Sequence, residues 1–105
     1  MSHWTLLYRN KFDFNKVKVD DLEPLGTVRE VVEMIKNVLP GVDFSDESWG
    51  VYSGPYGDFE IVLGVEEKVF NIGIRNVPSD ELIKMLCESM NLFAFDTSSS
   101  EFIDY

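Results

Sequence analysis

The chain has 105 residues, of which 45% are hydrophobic and 27% charged, with eight Phe, four Tyr and two Trp. That composition excludes a disordered chain and suits one domain able to bury a core without metal or disulfide. Cys87 is the only cysteine, so no intrachain disulfide forms, and the net charge of −10 disfavours nucleic acid and anionic lipid as partners.

The charge is uneven. Residues 1–18 carry four bases against one acid, a net +3, and the remainder carries −13. The N-terminal apolar run, Trp4 to Tyr8, is too short for a signal peptide and lacks a basic lead. No stretch reaches the ~18 apolar residues of a membrane span. With the lone cysteine, these features predict a cytoplasmic protein.

In chain order, residues 4–8 (WTLLY) and 12–19 (FDFNKVKV) are β-like, and residues 1–20 form a β-rich N-terminal arm. Residues 27–39 are predicted as a helix: Thr27 and Glu30 have capping-box spacing, and Val28, Val31, Val32, Ile35, Val38 and Leu39 share a stripe. Pro40-Gly41 stops it. Three strands follow as an antiparallel meander. In 48–53, Trp49 and Val51 are read inward and Tyr52 outward. In 58–63, Phe59, Ile61 and Leu63 point inward and Asp58 and Glu60 outward. In 68–75, Phe70, Ile72 and Ile74 point inward and Asn71, Gly73 and Arg75 outward. Gly54-Pro55-Tyr56-Gly57 and 64–67 supply the turns. Gly50 and Gly73 are read as low points of the outward side, open to a partner or to the arm. A second helix spans 80–90, N-capped by Ser79, ended by Asn91, and burying Ile83, Leu86, Cys87 and Met90. Residues 92–96 form a strand, 97–100 a polar loop, and the tail 101–105 is apolar enough to dock or pair. The whole, 1–105, reads as a single α+β domain: an antiparallel sheet of about four to six strands with two helices on one face.

Catalytic equipment is sparse. The only histidine is His3, near the terminus, and Cys87 lies on an apolar helical stripe where a core role is the simpler reading. No P-loop, dinucleotide glycine pattern, nucleophile elbow or zinc-protease motif is present. No cofactor or metal is therefore expected. Asp43, Asp46 and Glu47 could offer oxygen ligands to calcium, but without EF-hand order they read as a solvated acidic loop. The residues singled out for binding are Tyr52, Tyr56, Asp58, Glu60 and Arg75 of the meander, with Asp43, Asp46 and Glu47. Tyr and Arg are favoured at interfaces, and acids steer basic partners. The plainer alternative is a solvated sheet face with a Glu60–Arg75 cross-strand pair.

The segments LPGVDFSDESWGVYSG, FEIVLGVEEKV, IGIRN and FAFDTSSSEFID, within Leu39–Tyr105, resemble a type of small bacterial hypothetical protein. That resemblance implies only a one-domain α+β fold. Size, acidity and fold pattern are also similar to bacterial immunity proteins, which bind and neutralise a toxin. This likeness implies a non-catalytic inhibitor that holds a basic partner, such as a nuclease, through an acidic surface. The basic segment 9–18 departs from a uniformly acidic inhibitor. Alternatives are a housekeeping interaction module, a small carboxylate-dependent hydrolase and a nucleic-acid mimic.

Overall fold

Capping chemistry sets both helices. In the computed structural model, which describes residues 4–12, 16, 23–46, 48–64 and 67–103, α1 runs Val28–Val38 with Thr27 as its N-cap. The Thr27 hydroxyl accepts from the Glu30 N–H at 3.2 Å, and the Glu30 carboxylate accepts from the Thr27 N–H at 3.1 Å. This is the reciprocal box that the spacing predicts. Those bonds to Thr27 hold the Glu30 carboxyl below its ordinary value. The second helix, α2 (Asp80–Met90), starts at Ser79, whose hydroxyl accepts from the Leu82 N–H at 3.3 Å, and ends at Asn91 with φ 56°. Its buried residues are Leu82, Ile83, Leu86 and Met90, with Cys87 only half-buried beside them.

The strands are β1 (Trp4–Tyr8), β2 (Gly26–Thr27), β3 (Asp43–Asp46), β4 (Trp49–Gly54), β5 (Gly57–Val62), β6 (Lys68–Val69), β7 (Asn71–Arg75), β8 (Phe93–Asp96) and β9 (Glu101–Phe102). Among the described residues, seven of them form one sheet in the order β3-β4-β5-β7-β1-β8-β9, and β2 pairs with β6. Every neighbouring pair is antiparallel. The architecture is α+β, with more strands than the four to six expected. The acidic stretch at Asp43–Asp46, expected as a loop, is the edge strand β3, and the tail pairs as β9. Trp4–Tyr8 is an interior strand between β7 and β8, not part of an arm. The strand expected over 12–19 lies mostly outside the described residues.

Opposed residues of an antiparallel pair share a side of the sheet. Tyr52 opposes Phe59, Ile61 opposes Ile74, and Ile72 and Ala94 both oppose Leu7. These side chains join Val31, Val32 and Ile35 of α1 and Leu82, Ile83 and Leu86 of α2 in one core cluster. The inward positions expected in β5 and β7 therefore hold: Phe59, Ile61, Ile72 and Ile74 are at most 2% exposed.

Strand β4 has the opposite phase to the one expected. Trp49 and Val51 are exposed and Tyr52 is buried. Gly50 faces the core, not the outward side, because Phe44 of β3 occupies the space above it: a Cβ there would lie 2.7 Å from that ring. Phe70, expected inward, sits half-buried between β6 and β7, where the chain passes from one sheet to the other. The β4–β5 turn forms as expected, with Gly57 at φ 112° and Pro78 packed where its side chain would be.

Candidate functional site: the open side of the sheet

The side of the sheet away from the core cluster carries two parallel rows. One runs Trp49, Val62, Gly73, Leu6, Phe95 and Phe102 across six strands. The other runs Asp43, Val51, Glu60, Arg75 and Trp4. The two ends of these rows are built differently.

At the β1/β8/β9 end four aromatics close on each other, while Phe93, opposite Tyr8, stays 39% exposed with the Lys11 ammonium 5.4 Å from its ring centre. Phe12 packs edge-on against Tyr8 at 4.8 Å and Phe102 at 5.1 Å, and lies parallel to Phe95 at 6.4 Å between centroids. Phe95 is left 3% exposed and Tyr8 6%. Burial pushes the Tyr8 hydroxyl above its ordinary value, against a lowering hydrogen bond from the Asn71 side chain.

At the β3/β4/β5 end the apolar surface stays open. Trp49 is 39% exposed and Val51 49%. Val62 lies opposite Trp49, and beyond it the Trp4 ring covers Gly73, 3.3 Å from where a Cβ would stand. Carboxylates surround this patch. Asp46 opposes Trp49, Asp43 and Glu60 oppose Val51 from either side, and Asp58 opposes Ser53. Serines orient them. Ser45 donates to Asp43 at 2.7 Å, Ser48 donates to Asp46 through its N–H at 3.0 Å and its hydroxyl at 3.1 Å, and the Ser53 hydroxyl donates to Asp58 at 2.6 Å. The Arg75–Glu60 pair expected from register is present at 3.5 Å. Half in water, such a pair contributes a few tenths of a kcal/mol.

The structure thus places Asp43, Asp46, Asp58, Glu60 and Arg75 on one side of the sheet. It separates the tyrosines from them. Tyr52, expected outward, is 3% exposed on the core side and stacks on Phe59 at 4.9 Å. Tyr56 is exposed at the hairpin tip, its ring 6.2 Å from Tyr52. Glu47 lies outside the described residues, as does His3. The residues that sequence reasoning missed are Trp49 and Val51, assigned to the core. A signal for them existed. The two-residue turn sets Gly54 opposite Gly57, so Tyr52 must share a side with Phe59, and Gly50 with Ile61.

Elsewhere, a cleft of about 280 Å³ includes Cys87, Lys84 and Asn91 of the α2 region, with Lys11 and Phe93. Burial, with a smaller contribution from Glu88, pushes the Cys87 thiol up to about 11, so it stays protonated and unreactive near neutral pH. A second cleft, about 430 Å³, lies between α1 and Phe44. Among the described residues, no three acidic, His or Cys side chains gather as a metal-holding group, and no helix is long and apolar enough to cross a membrane. Compared with known protein families, curated proteins and solved structures, the chain matches none.

Proposed function

We propose that this chain is a non-catalytic binding protein that holds a basic protein partner against the open side of its sheet, as an immunity-type inhibitor holds a toxin. The observation that carries the reading is the exposed Trp49–Val51 patch with Asp43, Asp46, Asp58 and Glu60 around it. Exposed aromatic surface supplies contact energy at an interface, and a rim of one charge sign accelerates encounter with the opposite sign. That residues of both helices join Phe59, Ile61, Ile72 and Ile74 in one core cluster supports reserving the Trp49–Val51 side for a partner. The net charge of −10 directs it towards a basic one. Binding would block the partner's own working surface, with no chemistry performed by this chain.

The test is genetic and then physical. The product of the neighbouring gene is expressed alone and together with this chain. The reading expects growth arrest in the first case, rescue in the second, and a stable complex on co-purification. A harmless neighbour, or a harmful one that this chain neither binds nor restrains, would sink the inhibitor reading.

A further inference from the structure

The open end of the sheet has a chemistry more specific than acidic. We propose that it recognises an extended segment of the partner carrying arginine between apolar residues, with a guanidinium laid on the Trp49 ring and held by Asp46, and with Asp43 beside the neighbouring Val51. This rests on the binding reading above and adds the recognised group. The face of an indole is the most favourable aromatic site for a cation. Arginine also stacks as a plane, forks to carboxylates and lays its methylene stem on apolar surface, where lysine offers a point charge. Each need is met at one place. Trp49 supplies the ring and Val51 and Val62 the apolar floor; Asp46 opposes Trp49, and Asp43 opposes Val51 two residues further along the same side, with Glu60 there paired to Arg75. Directly opposed residues stand roughly 4.5–5.5 Å apart at Cβ, which puts the Asp46 carboxylate within reach of a guanidinium on the Trp49 ring. Serine hydrogen bonds already fix Asp43 and Asp46, so little side-chain entropy is lost on binding.

Charge complementarity selects this occupant over the others. A second copy would bring the same carboxylates face to face with these. Nucleic acid and anionic membranes would meet the same repulsion on a chain of net charge −10.

The experiment uses the full chain and a short synthetic peptide of alternating arginine and valine, with its glutamate–valine counterpart as control. In a Trp4→Phe background Trp49 is the sole tryptophan, so its emission reports on the patch. The arginine peptide should shift that emission saturably, less so as salt rises, and the glutamate peptide should leave it unchanged. By calorimetry, Trp49→Ala should weaken the arginine peptide about tenfold, and Asp43→Asn with Asp46→Asn by a similar factor, both with unchanged circular dichroism. No saturable shift, equal binding of the two peptides, full affinity in Trp49→Ala, or a concentration-dependent dimer that buries Trp49 would each overturn the proposal. The two readings fail separately. Rescue from the neighbouring gene product that survives Trp49→Ala leaves an inhibitor that docks elsewhere, whereas absence of rescue by the native chain removes the inhibitor itself.

Discussion

The two ends of the sheet's open side use the same materials for opposite ends. Around β1, β8 and β9, Phe12 closes over Tyr8, Phe95 and Phe102, and the exposed Phe93 beside them carries the Lys11 ammonium over its ring at 5.4 Å. Around β3, β4 and β5, Trp49 and Val51 stay in contact with water inside a rim of carboxylates. A closed aromatic cluster stabilises. An open one raises the free energy of the isolated protein slightly and lowers it when a partner arrives. Aromatic content therefore does not distinguish core from surface here; what lies above each ring does.

The sharpest way to break that comparison is to truncate one ring at each end. Phe95→Ala should cost ~3–5 kcal/mol, since the residue is 3% exposed and three rings lose their contact with it. Trp49→Ala should cost about 1 kcal/mol or less. Chemical denaturation midpoints check both, and equal losses would mean that the Trp49 end is part of the core after all.

A smaller effect is expected at Gly50. Gly50→Ala places a methyl against the Phe44 ring, 2.7 Å away before relaxation, and should cost ~1–3 kcal/mol by displacing that ring. A neutral Gly50→Ala would show that Phe44 gives way freely and that β3 is loosely held.

That glycine also explains how far the fold could be read in the sequence. Helices at 27–39 and 80–90 were legible because caps and apolar stripes agree at both. Strands β5 and β7 were legible because their alternation is clean, with Ile61 and Ile74 buried as opposed partners. Strand β4 was not. Its inward positions hold Gly50 and Tyr52 while its outward ones hold Trp49 and Val51, so hydropathy points the wrong way. The inward apolar volume at Gly50 comes from Phe44 on another strand, a tertiary substitution invisible to local alternation. The acids of the site were legible as residue types. Their gathering around Trp49 was not, because it depends on β3 being a strand, and its short acidic sequence with a register shift reads as a loop.

The smallest expected effect separates the clefts from the site. Folding raises the Cys87 thiol from 9.0 to about 11 and raises Tyr8 as well, so both prefer the neutral form in the native state. The thiol's contribution is fully present below 9.0 and is lost as pH climbs towards about 11, and that of Tyr8 is lost only above its ordinary value of 10.0. Stability should fall over that interval, and Cys87→Ala should flatten part of the fall while leaving peptide binding at neutral pH unchanged. An unchanged pH profile would refute the assigned burial of the thiol, and lost binding would place the α2 cleft in the site.

The most direct test of the open sheet end as the binding surface is a map of backbone amide chemical shifts during titration with the arginine–valine peptide. The expected result is a saturable set of shifts confined to Asp43–Asp46, Trp49–Ser53, Asp58–Val62 and the adjoining part of β7, with Phe95 and Phe102 silent. Shifts centred on β8 and β9 or on the α2 cleft, or none at all, would contradict it.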